Sequence, residues 1–398
     1  MKKYLVLILT IVSIMLISVS NICFAEEYDG YEAYNLYAKV IQAGEEEKYN
    51  DGYSEYIVQK LKVEIIDSRF KGEQFDIIYY LEDGLNTRLP LYDKFKVGDK
   101  LYVYGIYENG NLTVDAASYY DKTPWIVAIV SIYAILIALI GGKKGLKALI
   151  GLVITVILIF NILVPAILNG YNSILITVLI CSLIILITFL IISGFKRKTW
   201  VAIIGTVAGV VMAGLIGGIF GHAMRLTGIN EHARMISVAI PEERSMIDFK
   251  DVMLSAIMIS ALGACMDVGM SIASAISEIK EKKPDLTAKD LIKSGMNIGK
   301  DVMGTMTNTL ILAYVGSAML CILLYNVNGF DLSFILNSED ITVEVLKSLS
   351  GSIGLVCTIP LTAIFGGVII GNSKIDSSSS KKESKEDNVE IPVNYFKG

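Results

Sequence analysis

Asp267 puts a carboxylate in the middle of an apolar run, DVMLSAIMISALGACMDVGMSIASAISE (251–278), that is long enough to cross a bilayer. An ionisable group at that depth costs roughly 2.5–3.5 kcal/mol on insertion scales, and such groups mark ion and proton paths. At about 100° per residue, Ser260, Gly263, Ala264, Asp267, Ser271, Ser274 and Glu278 share one stripe. The opposite face carries Ile257, Met258, Met266, Val268 and Ile276. This pattern predicts a spanning helix with its greasy side toward lipid and its small, acidic side toward other helices. A second stripe, Asp301, Thr305 and Asn308 at i, i+4 and i+7, opens the next apolar segment. Carboxylates and hydroxyls on adjacent helices can coordinate a cation or relay protons. Asp267, Ser271, Asp301, Thr305 and Asn308 are therefore the candidate intramembrane polar path, with Thr307 beside them. For Glu278 and Asp301, pairing with a buried Arg or Lys or a place in the wet cytoplasmic interface is the better reading.

Both histidines lie in the connection GHAMRLTGINEHARMISVAIPEERSMIDFK (221–250). Asn230, Glu231 and His232 form a candidate outer-loop polar cluster, and the pattern of Glu231, Arg234, Ser237 and Val238 predicts an amphipathic surface helix. Asp248 is placed to cap the helix that follows. His222, Glu231 and His232 invite comparison with a metal site, but adjacent helical residues point about 100° apart and no HExxH or cysteine partner is present. Without GxSxG, HExxH or a phosphate loop, the chain is not expected to be an enzyme, and no catalytic, cofactor or metal residue is assigned.

These groups must be held by membrane helices. The chain is 53% hydrophobic with a mean hydropathy of +0.56, and a net charge of −5 gives no reason to expect nucleic acid. Seven apolar segments, at about 125–140, 146–168, 173–192, 200–220, 251–278, 305–325 and 349–370, read as spans of a helical polytopic domain, 124–371. Lys143, Lys144, Lys147, Lys196, Arg197, Lys198, a lysine-rich 280–300 connection and the tail alternate with loops that lack Lys and Arg. That arrangement predicts a cytoplasmic C-terminus and an outside N-terminal domain. Residues 1–25 have the form of a secretory leader or uncleaved anchor, and 372–398 that of a flexible cytoplasmic tail. Gly205, Gly209, Gly214, Gly217, Gly218 and Gly221 make three GxxxG patterns suited to tight helix packing. Pro360 removes a helix hydrogen bond and favours a kink.

Residues 26–123 differ in kind. They hold 15 of the 21 tyrosines and twenty acidic against eleven basic side chains, a net charge of −9. Alternation at 56–66, 75–81, 100–107 and 112–120 predicts strands, separated by turns at Gly72, Asp83-Gly84, Gly98 and Asn109-Gly110. Five or six short strands fit a small all-β barrel, OB-like or SH3-like. None of the five cysteines lies here, so no disulfide framework is expected.

The runs TGINEHARMISV, ALGACMDVGMSIASAISEI and KDVMGTMTNTLILAYVGSAM, with the leader and the single β-rich domain, resemble the YibE/F-like family of bacterial membrane proteins, YibE-type, over about 33–371. The resemblance implies a polytopic bacterial membrane protein and carries over no substrate, reaction or catalytic residue. Two functions stay open on the residues themselves. A permease for an ion or small solute explains the polar stripes. A non-transporting scaffold or envelope partner protein, acting through the β domain, explains them as packing. The bilayer is the one certain partner, and the oligomeric state is not fixed by the sequence.

Overall fold

The computed structural model describes residues 27–28, 31–50, 55–67, 69–81, 94–108, 110–239 and 247–371. The leader at 1–25, the Asp83-Gly84 turn and the tail at 372–398 lie outside them. The chain divides into two compact units, 1–139 and 140–398.

The first unit carries six strands: β1 (Glu27–Tyr28), β2 (Tyr31–Asn50), β3 (Glu55–Ile65), β4 (Gln74–Tyr80), β5 (Lys100–Glu108) and β6 (Asn111–Tyr120). Their order is β1-β2-β3-β4-β6-β5, and β2 also pairs with β5, which bends the sheet into a near-closed barrel. All pairings are antiparallel except β4 with β6, where Ile78 meets Ala116. A long strand, β2, that pairs with both β3 and β5, with one parallel closure, is OB-like connectivity. Alternation drives it: Leu36, Ala38 and Val40 point inward with Leu61, Val63, Ile65, Ile77, Leu101 and Val103, while Tyr104 and Lys60 point out. Gln59 is buried yet satisfied, donating to the Gly44 and Phe95 carbonyls and accepting from the Phe95 N–H.

Among the described residues ten α-helices follow in chain order: α1 (Thr123–Leu158), α2 (Val164–Leu168) after a π-helical turn at Ile159–Leu163, α3 (Ser173–Ser193), α4 (Arg197–Ala223), α5 (Glu231–Ala239), α6 (Phe249–Lys282), α7 (Ala288–Ser317), α8 (Met319–Val327), α9 (Leu332–Asn337) and α10 (Glu339–Gly371), with α1 interrupted by non-helical backbone at Gly142. Five helical stretches among the described residues are long and apolar enough to cross a membrane, six if the bent pair α7 and α8 is one span. The longest, Thr123–Leu168, has 46 residues. At 1.5 Å per residue it measures roughly 70 Å, more than twice a hydrocarbon core. Gly142, at φ 51°, interrupts it just before Lys143 and Lys144, between the two spans expected there.

The sixth expected span needs correction. Helix α7 starts at Ala288, inside the stretch read as a lysine-rich loop, with Thr287 and Asp290 forming a capping box. It then breaks after Gly316-Ser317 and turns by 53° into α8. A Gly/Ser pair is a known kink site, and Ser317 here turns its hydroxyl back onto the Tyr314 carbonyl. Lys280, buried at the end of α6, donates to the Pro284 and Leu286 carbonyls and so fixes the turn into α7.

Within the second unit, side chains fill notches left by glycines on neighbouring helices. A Cβ at Gly209 would overlap the Thr358 hydroxyl and lie 2.9 Å from the Gly354 carbonyl; one at Gly354 would lie 2.7 Å from the Gly209 carbonyl. Helices α4 and α10 are thus in backbone contact. The Thr362 hydroxyl sits at Gly205 and that of Thr206 at Gly269 in the same way. Gly218, in the same sequence pattern, has its nearest such neighbour at 3.8 Å. Gly209→Ala is therefore expected to destabilise the fold by about 1–3 kcal/mol through overpacking. Gly218→Ala should leave the thermal melt of purified protein unchanged or slightly raised; equal effects at the two sites would refute this packing.

Candidate functional site

The facing of α6 is the reverse of the sequence expectation. Its apolar side, with Ile257, Met258, Leu262, Val268, Ile272 and Ile276, is buried in the helical core. Gly263, Asp267, Ser271 and Glu278 are exposed, and Ser260, Ala264 and Ser274 half-buried. The greasy side thus packs on protein and the acidic stripe faces out of the fold. The second stripe is also outward: Asp301, Gly304, Thr305 and Asn308 are all exposed on α7.

The two helices lie side by side in opposite directions. Ile272 abuts Gly299, with its Cδ1 3.2 Å from where a Cβ would stand, and Ile276 abuts Gly295. Counting outward from these contacts puts Asp267 level with Gly304 and Gly263 level with Asn308. The expected path residues are therefore on neighbouring helices within about two turns of one another in depth. No hydrogen bond joins them among the described residues. Thr305 and Thr309 donate to their own helix at Val302 and Thr305, and Glu278 pairs with Lys282 at 2.6 Å. Asp267, Ser271, Asp301 and Asn308 have no such partner there. Thr307 is half-buried with its hydroxyl unpaired.

At the opposite end of α6 from the lysine-rich turn lies a cavity of about 670 Å³. Helix α5 forms as the pattern of Glu231 and Arg234 predicts, and Asn230 caps it by accepting from the Ala233 N–H at 2.8 Å. Asn230, Glu231 and His232 all line this cavity. His222 lines another, of about 340 Å³, with Arg225, Asp248 and Asp251, so the two histidines serve different cavities. Asp248 caps α6, accepting from the Lys250 N–H.

The larger cavity has charged groups that the sequence reading passed over: Glu339, Asp340, Glu344 and Lys347 on the first turns of α10. The stretch 327–342 reads as a loop because its polarity hides the helix start. The available signal was the acidic pair Glu339-Asp340 ahead of periodic Ile341 and Leu346. Glu344 and Lys347 are ion-paired at 2.6 Å. One Glu339 oxygen accepts from the Thr227 hydroxyl, the Thr227 N–H and the Gly228 N–H at 2.6–2.8 Å, latching the turn before α5 to α10. Gly228 is at φ +72°, and a Cβ there would overlap the Phe249 carbonyl, so that turn needs glycine.

An apolar multi-helix unit and a separate strand barrel define a multi-pass membrane protein of helical type. The chain belongs to the YibE/F-like protein family, whose model matches residues 129–372. That match covers the helical part and leaves the barrel outside, a narrower extent than the resemblance at 33–371. No curated protein and no solved structure matches the chain.

Removing the latch with Glu339→Ala leaves the 227–228 amides unbonded, a loss of about 1.5–3 kcal/mol for bonds to a charged acceptor. Hydrogen exchange across 225–239 is expected to speed up while exchange in α3 stays unchanged. Unaltered exchange in 225–239 would mean that Glu339 does not hold this turn.

Proposed function

We propose that the protein is a permease for a small cation or small polar solute, moving it along the outward face of α6. One observation carries this reading. The α6 face that lines the larger cavity, through Phe249, Val252 and Ala256, continues with helical period through Ser260, Gly263, Asp267, Ser271 and Ser274 to Glu278. From Ala256 to Glu278 this track runs roughly 33 Å, about the thickness of the hydrocarbon core. It begins in a cavity where Glu231, Glu339, Asp340 and Glu344 outnumber Lys347, which favours a cationic solute. Asn230 and His232 lie at the same entrance, and Asp301, Thr305 and Asn308 flank the track from α7. The lysine-rich turn after α6 supports a cytoplasmic location for the Glu278 end and an external one for the cavity, in a bacterial cell membrane.

The alternative is a membrane scaffold acting through its external barrel, in which the polar face serves only to bind protein. Flux measurements on reconstituted liposomes separate the two. Asp267→Asn is expected to cut cation flux at least about tenfold, as expected for an acid in the conduction path. Glu278→Gln, at the solvated end, should change it little. Wild-type protein that is folded but passes none of a panel of monovalent, divalent and organic cations would refute the permease. Co-purification of a membrane protein, lost on deleting 27–123, would then favour the scaffold.

A further inference from the structure

The exposed faces of α6 and α7 sit at bilayer depth, and a carboxylate there is costly to leave in lipid. The same faces break the packing rule of the rest of the unit. Gly205, Gly209, Gly269, Gly295, Gly299 and Gly354 are each filled by a neighbouring helix. Gly263 and Gly304 have no neighbouring atom within 4 Å of where a Cβ would stand, as has Gly316 near the end of α7. Small residues let helices approach, and here no described residue of the second unit does.

We propose that a second copy of this chain covers this face, α6 of each copy packing on α7 of the other about a two-fold axis along the membrane normal. The inference rests on the permease reading for what the interface does, and on geometry for its existence. Copies inserted the same way keep every residue at its own depth. Asp267 of one copy therefore meets the open Gly304 of the other, and Asn308 of that copy meets the open Gly263. Each glycine gap is level with an unpartnered polar side chain, repeating across the axis the pattern of Thr358 at Gly209 and Thr206 at Gly269. The face holds both halves of a bond it needs: the Asn308 amide lies one helical turn from the level of the Asp267 carboxylate and can donate to it. An isologous contact requires such self-complementarity, which a face shaped for an unrelated protein does not. The track along α6 would then run between copies, shielded from lipid on its open side.

Two differently tagged copies, one Gly263→Cys and the other Asn308→Cys, are co-expressed and oxidised in native membranes. A mixed disulfide is expected at a yield at least about tenfold above that of two copies carrying Leu175→Cys, since held proximity greatly raises effective concentration. Leu175 is 60% exposed and belongs to α3, outside both helices of this face. Wild-type protein in lipid nanodiscs should have the mass of two chains, a reading free of any folding defect in the cysteine variants. Cross-linking no higher than at Leu175, or a one-chain mass in nanodiscs, overturns the interface. A dimer that carries no flux leaves the interface standing and removes only the permease reading.

Discussion

The backbone contact of α4 with α10 at Gly209 and Gly354 is the constraint on which the helical unit depends. With no side chain at either position the two helices meet carbonyl to Cα, and Thr358 and Thr362 lock into the remaining notches. Helix α6 then packs its apolar face against this pair, with Gly269 receiving Thr206 and the Thr206 hydroxyl donating to the Cys265 carbonyl. In a bilayer there is little hydrophobic gain from bringing greasy helices together, so close packing of small residues and interhelical hydrogen bonds take over that role.

The orientation of Asp267 follows from this packing. Once Ile257, Val268, Ile272 and Ile276 are committed to the α4 and α10 side, the small and acidic stripe has nowhere to point but outward. Helix α7 packs antiparallel to α6 at Gly295 and Gly299, and its own polar residues are turned the same way. The same helix face that carries the acid opens at its far end into the cavity under α5, held by the Glu339 latch.

Much of the barrel was legible because alternation is a strong signal: β3, β4, β5 and β6 fall within a residue or two of the runs that predicted them. Strand β2 was not, since KVIQAGEEEKY is rich in good helix formers, and its pairing with both β3 and β5 is a long-range effect. Gly44 marks where it bends, with the Lys60 carbonyl 3.0 Å from where a Cβ would stand. Among the helices, existence was legible and facing was not. Hydropathy cannot distinguish a side chain against lipid from one against protein, so the sense of the α6 stripe waited on packing. The start of α7 at Ala288 was hidden because charges that read as a loop sit on a helix surface, and the break after Ser317 because it falls inside an uninterrupted apolar run.

The central claim is that the Asp267 face lies outside the core of one chain yet away from lipid. Spin labels at Ser260, Ser271 and Ser274 in reconstituted bilayers test it through their collision rates with oxygen, which concentrates in the hydrocarbon. The account expects low oxygen accessibility at all three, against high values at Leu175 and Leu179 on the exposed side of α3. Accessibility on the α6 stripe as high as on α3 would contradict it.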